Sequence, residues 1–332
     1  MADPIEWLTL FLRIKLRIVQ LLDYESRCNL RLCSKKDRDL VDSAQFVAEN
    51  IRIAEFPSDL APEKTIIRVD VDSFTIWFIG RNEVTKVERA WNGELDGRLE
   101  MKQESRFEVA RRYLERYSNQ HDGRFAAKSV KLHGISLLPS ENWKVRCDRL
   151  VILDLPNLAW LRQTAPKLKH LEVSNRETNA IGTLPHIVST SETLKVYQSS
   201  DVNDGTLALI EATNLRIGSD EITPEGVRDA LERFLKRGKL DDTLDFELPL
   251  PPGFDPMHLI PASVTVRRDS QPPVYSPEAY NGKIIGGFEN VHGIQEARLF
   301  TCYPYDSRLF VTCRIHKKMT YPLMMYPFTK HW

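Results

Sequence analysis

The sequence predicts an α/β chain: a small three-helix module at the N-terminus, then an irregular, repeat-like α/β domain closed by a C-terminal β hairpin. Three observations predict it. Residues 7–43 carry apolar side chains at helical spacing, broken by cap signals. From Lys128 onward, short Leu-rich runs recur at intervals of roughly 18 to 29 residues. Near the end, Phe310, Thr312 and Arg314 alternate with Leu309, Val311 and Cys313, the period of a strand.

The first helix is read in "WLTLFLRIKLRIVQLL", Trp7 to Leu22. Wound at about 100° per residue, its apolar side chains spread over roughly 240°, whereas a surface helix needs an apolar stripe of only about 100°. Leu10, Ile14, Ile18, Leu21 and Leu22 make one stripe, Leu12, Leu16 and Val19 another, and Phe11 lies between. Asp23 ends the run. A second short helix, expected to open at Ser26, carries Cys28, Leu30, Leu32 and Cys33. Ser34 and Asp37 form a capping pattern for a third helix with Leu40, Val41, Phe46 and Val47. Three short helices bury only a small core, so the surplus apolar face calls for a cover, from this chain or from another.

The run "WLTLFLRIKLRIVQLLDYESRCNLRLCSKKDRDLVDS", Trp7 to Ser43, resembles an F-box, in the version found in nematode F-box proteins. The likeness rests on Trp7 and Leu10, on the series Ile14, Ile18, Leu21, Leu22, Asp23, and on "NLRLCSKKDRDLV" over the second and third helices. It spans about an eighth of the chain. The resemblance implies docking on a Skp-type adaptor, and through it on a cullin, by Leu10, Phe11, Ile14, Ile18, Leu21, Leu22, Leu30, Leu32 and Cys33. Phe11 stands where the family carries Pro, Arg13 where it carries Glu, and Lys36 and Asp37 lie near the place of a third-helix aromatic.

The expected division is an adaptor-binding module over residues 3–49 and a repeat-like recognition domain over 60–332, its repeat core at 128–249. After Asn50 a connector with Pro57 and Pro62 is expected, then a hairpin in "KTIIRVDVDSFTIWFIG" turning near Asp72 and Ser73. "ESRFEVARRYLERYS" is a helix with Phe107, Ala110, Leu114 and Tyr117 inward and Arg111, Arg112 and Arg116 on a solvated face.

The recurring units are "SVKLHG", "DRLVILDLPNL", "PKLKHLEVSN", "ETLKVYQSS", "TNLRIGSDEI" and "DTLDFELPL". Their spacing is similar to that of leucine-rich repeats, in which each unit gives one strand to a shared parallel sheet. "ITPEGVRDALERFLKRGK" is the clearest helix, with Thr223 as cap, Pro224 in the first turn, and Val227, Leu231, Phe234 and Leu235 as its buried stripe. This region resembles the F-box-associated regions of nematode F-box proteins. Beyond Pro249 the proline-rich stretches predict irregular connections, and Gly286 and Gly287 a turn or bulge. "RLFVTCRIHKKMTYPLMMYP" suggests two antiparallel strands, and Tyr321, Met324, Met325, Tyr326 and Phe328 a terminal core.

Composition narrows the function. Of 332 residues, 42% are hydrophobic and 28% charged, an ordinary soluble balance, and Lys+Arg and Asp+Glu both number 46, so the total charge calls for neither nucleic acid nor an anionic membrane. Five cysteines without a CxxC pair, together with the lack of any Asn-x-Ser/Thr acceptor or apolar run near 18 residues, point to the cytoplasm or nucleus. No GxSxG, HExxH, GxxxxGK[ST] or GxGxxG motif is present, and His133, His170, His186 and His292 are scattered. Neither a catalytic residue, a cofactor nor a metal is expected. The expectation is a non-enzymatic substrate receptor of a cullin-type (SCF) ubiquitin ligase that holds a protein target; the alternatives are a stand-alone repeat scaffold and an enzyme whose residues assemble from distant segments.

Overall fold

The structure, a computed structural model, describes residues 7, 10–44, 46–58, 61–81, 84–119, 124–141, 143–154, 158–174, 181–249, 255–266, 271–275, 280–290, 293–303 and 308–317. The N-terminal module consists of α1 (Leu12–Leu21), α2 (Tyr24–Cys33) and α3 (Lys35–Ser43). α2 opens at Tyr24, two residues before the expected Ser26, because Asp23 is its cap: the carboxylate accepts the Ser26 amide proton at 2.7 Å. Ser34 caps α3 as its spacing suggests, accepting from the Asp37 amide at 3.1 Å and donating to its carboxylate at 2.7 Å. α3 stops at Ser43, so Phe46 and Val47 lie beyond the helix, the first buried and the second exposed.

The segment expected as a connector is instead a strand, β1 (Ala48–Ser58). An antiparallel meander follows: β2 (Ala61–Val71), β3 (Phe74–Arg81), β4 (Val84–Trp91) and β5 (Glu94–Lys102). The expected turn is present at Asp72, at φ 53°, between β2 and β3. A further hairpin, β4–β5, closes through an Asn92–Gly93 turn with φ of 49° and 87°, a dipeptide that is itself a hairpin signal. α4 (Arg106–Asn119) lays Ala110, Leu114 and Tyr117 on the meander, and its Tyr113 ring lies 5.8 Å from that of Phe78.

β1 is a hinge between two pairing modes. On one side Ile51 and Ile53 oppose Val71 and Val69 of antiparallel β2; on the other they oppose Val130 and Leu132 of parallel β6 (Arg124–His133). β6 in turn pairs in parallel with the short β7 (Lys144–Arg146) and with β8 (Arg149–Leu153). β8 pairs with β9 (His170–Ser174), and β9 with β10 (Thr193–Ser200), all parallel. Val130, Leu150, Leu171 and Leu194 stand in register across this ladder, as do Leu132, Ile152, Val173 and Val196, and all eight are buried. Four of the six recurring units therefore supply one strand each to this ladder, which starts one strand earlier than the repeats, at β1.

The connections return over the buried face. Trp160 of α5 (Ala159–Arg162) packs on Trp143 at 5.5 Å and donates its indole N–H to the Leu137 carbonyl at 2.9 Å. α6 (Pro185–Ser189) buries His186 and Ile187. At the crossing of β1 and the β6 exit, Gly134 has φ 60°, and a Cβ there would lie 2.8 Å from the Glu55 carbonyl oxygen, so only glycine fits.

The chain divides into two compact units, Met1–Asn179 with Pro185–Gln198, and Ala180–Leu184 with Ser199–Trp332. In the second, α7 (Asp204–Leu209), β11 (Asn214–Ser219), α8 (Pro224–Arg237) and β12 (Thr243–Pro249) follow in order, with β11 and β12 parallel. α8 has the cap, first-turn proline and buried stripe expected of it: Thr223 accepts from the Gly226 amide, and Val227, Leu231, Phe234 and Leu235 are buried. β12 then pairs antiparallel with the last described strand.

Past Pro249 the chain is more regular than expected. β13 (Thr265–Val266), β14 (Gln271–Tyr275), β15 (Tyr280–Asn290), β16 (Gly293–Tyr303) and β17 (Arg308–Lys317) are strands, and the proline-rich stretch forms β14 with a register shift between Gln271 and Val274. Gly286 and Gly287 lie within β15, opposite Ala297 and Glu296 on one side and Val266 and Thr265 on the other, not in a turn. The antiparallel partners of β17 are β16 and β12. The second strand expected after it, with Tyr321, Met324, Met325, Tyr326 and Phe328, lies outside the described residues. Cys302 opposes Phe310 and Cys313 opposes Leu299, so the two cysteines are not cross-strand partners.

Candidate functional site

The surface that sequence reasoning singles out is built on α1. Its inner side belongs to a compact core: Val19, Leu40, Val41 and Ala44 are buried, and Trp7, Leu16 and Leu30 pack against them. Trp7 is tied to α3 by a 2.9 Å hydrogen bond from its indole N–H to Asp37. Ser34 and Trp7 both donate to that carboxylate, which lowers its pKa. Under the open ends of α1 and α3, the guanidinium of Arg27 is buried and donates to the carbonyls of Leu22 and Ala44 at 3.2 and 3.1 Å, while its Cζ lies over the Phe46 ring, 4.8 Å from the centroid. It thus satisfies carbonyls that the helix ends leave unpaired.

The module is fixed to the sheet through one residue above all. Tyr24, in the first turn of α2, sits among Phe46, Phe74 and Tyr117 with ring centroids at 5.6–5.7 Å, and 6.2 Å from Trp91. Burial raises its pKa well above that of a free phenol.

The outer side of α1 has no such cover among the described residues. Phe11 is 80% exposed, Leu21 75% and Ile14 46%, with Leu32 of α2 at 80% and Cys33 also exposed. Leu10, Ile18 and Leu22 are half-buried, and Leu30 is half-buried against the core. The two stripes thus part company: Leu16 and Val19 turn in, Ile14 and Leu21 turn out. Leu12, grouped with the inward stripe by periodicity, is 64% exposed. It lies in the first turn, ahead of the α1 residues that join the core.

Elsewhere the polar groups are committed to one another. On the strand face opposite the buried ladder, Arg149 lies 3.7 Å from Glu172, His170 3.4 Å from Glu192 and His133 3.5 Å from Asp154. On α4, Arg111 pairs with Glu115 at 3.1 Å and Arg112 with Glu104; the Arg116 side chain and His292 are outside the described set. Cys147 and Cys313 are free and buried, which pushes their thiols up to about 12. Among the described residues, no three of His, Cys, Asp and Glu come together as metal ligands, and no helix is long and apolar enough to cross a membrane.

Residues 7–48 match the family model of the F-box domain. F-box domains dock on Skp-type adaptors in SCF ubiquitin ligases. No curated protein and no solved structure matches the chain.

Proposed function

We propose that this protein is a substrate-recognition subunit of an SCF-type ubiquitin ligase. One observation carries the reading: within the F-box match, α1 seals one apolar stripe in its own core and turns Phe11, Leu12, Ile14 and Leu21 to solvent beside Leu32. An exposed apolar surface of this kind is characteristic of a protein interface. In this reading the adaptor covers it, a cullin binds through the adaptor, and the ubiquitin chemistry belongs to those partners.

The rest of the chain would hold the target. The in-register parallel strands supplied by four of the recurring units support a leucine-rich-repeat-like reading of that region; the nematode type rests on the sequence resemblance over Trp7 to Ser43. The face carrying Arg149, Glu172 and His170 is the surface we assign to target binding. The aromatic lock at Tyr24 suits this division of labour, since it fixes the docking helices to the sheet that would present the target. Buried, unpaired thiols agree with a reducing compartment, cytosol or nucleus.

The test is co-expression of the full chain with a Skp-type adaptor, comparing wild type with Leu21→Asp. A carboxylate forced into an apolar interface is expected to weaken the complex at least about 30-fold, equivalent to about 2 kcal/mol. A point variant is preferable to removing the residues before Asn50, because that deletion strips Tyr24 and Phe46 from the aromatic cluster. If the chain ignores the adaptor, or Leu21→Asp binds as wild type does, the stand-alone scaffold takes its place.

A further inference from the structure

The outward side of α1 is not uniformly apolar. Arg13 and Arg17, four residues apart and both exposed, form a line along one flank of the Ile14 and Leu21 stripe. The third cation, Lys15, turns the other way and lies 5.5 Å over the Trp7 ring. α1 contains no acid, and Phe11 at its start offers no side-chain cap. Arg17 donates to the neutral Gln20 at 3.3 Å, and among the described residues no carboxylate reaches either arginine.

The acids of the module are mostly committed elsewhere. Residues 7–48 hold eight Lys and Arg against five Asp and Glu. Asp23 caps α2, Asp37 serves Ser34 and Trp7, and Asp42 binds Arg31 at 2.8 Å. For the isolated helix this arrangement is unfavourable twice: Arg13 stands at the positive end of the helix dipole, and Arg13 and Arg17 repel each other at i, i+4. A carboxylate on a partner would relieve both, and a charged rim beside an apolar centre is ordinary interface anatomy.

We infer that the adaptor surface received by α1 carries carboxylates opposite Arg13 and Arg17, so that charge complementarity selects which Skp-type adaptor this chain takes. The inference rests on the docking function proposed above. Rim charges act chiefly on the rate of encounter, and salt screens them.

The experiment measures association of the full chain with a recombinant Skp-type adaptor at about 50 mM and about 500 mM NaCl, for wild type, Leu21→Asp and the double variant Arg13→Glu/Arg17→Glu. Charge reversal is expected to slow association about tenfold at low salt with little change in dissociation, and the gap is expected to close at high salt. Misfolding is not a ready explanation of such a loss, because Arg13→Glu puts an acid where the helix dipole favours one; helicity by circular dichroism checks this. If wild type binds, Leu21→Asp does not, and charge reversal associates as fast as wild type or is equally impaired at both salts, the charge inference is overturned while docking stands. If wild type itself does not bind, both fall.

Discussion

Replacing Tyr24 by Ala is expected to loosen the helical module and the meander together. Tyr24 is 8% exposed and touches one ring from each of four segments: Phe46 after α3, Phe74 of β3, Trp91 of β4 and Tyr117 of α4. Truncation removes about 130 Å² of buried ring surface, which at about 25 cal/mol per Å² is about 3 kcal/mol. The cavity left among four rings that cannot collapse raises the expected loss to about 3–5 kcal/mol. Tyr24→Phe removes only the buried hydroxyl and should cost about 1 kcal/mol. Leu32→Ala, at a largely exposed position, should stay within about 0.5 kcal/mol of wild type. Urea unfolding of the four proteins gives these differences, and hydrogen exchange shows whether α2 amides and β3 amides lose protection together in Tyr24→Ala. A loss below about 1 kcal/mol, or an α2 that opens while β3 keeps its protection, would refute the aromatic lock.

His186 is buried, and since a carbonyl only accepts, its Nε2 must donate to Thr164 at 2.8 Å; Nδ1 has no partner among the described residues. Burial lowers its pKa below 6.5, so the fold prefers neutral imidazole: stability is full above about pH 6.5 and lost as pH falls from there toward the folded value. His186→Gln keeps a donor and does not titrate, so its urea midpoint should depend less on pH between about 7.5 and 5.5; an unchanged dependence would count against the assignment. Gly226→Ala runs against helix propensity: the new Cβ would lie 1.9 Å from Asp204 Oδ1, a carboxylate held by the Thr223 amide and hydroxyl at 3.0 and 2.6 Å. A net loss of about 1–2 kcal/mol is expected in place of the gain that Ala usually brings, and thermal unfolding decides the sign. Leu21→Asp should leave the melting temperature of the free chain nearly unchanged while it abolishes adaptor binding, since the side chain touches solvent and not the core.

The exposed stripe of α1 leaves the free chain with apolar surface in water, and binding of the native form alone stabilises by mass action. The melting temperature of the full chain should therefore rise with adaptor concentration. This expectation rests on the docking proposed above and is independent of the identity of the target.

What the sequence alone determined is local. The cap at Ser34, the cap and stripe of α8, the turn at Asp72 and the inward side of α4 at Ala110, Leu114 and Tyr117 follow from hydrogen bonds and periodicities that span a few residues, and they stand as expected, while Phe107 is only half-buried. The recurrence of short apolar runs likewise marked out strands: four of the runs supply β6, β8, β9 and β10 of one parallel ladder, and two supply the parallel pair β11 and β12. Tertiary structure decided the rest. Periodicity assigned two apolar stripes to α1 without saying which one Leu40, Val41 and Ala44 would cover, because that choice belongs to residues twenty or more positions away. β1 has an alternation of its own, Ile51 and Ile53, but its strand nature depends on partners on both sides, β2 and the distant β6. Gly286 and Gly287 look like a turn in isolation and are a strand because β13 and β16 flank them with backbone. A local pattern limits the conformations a segment can adopt; burial selects among them, and burial is a property of the whole chain.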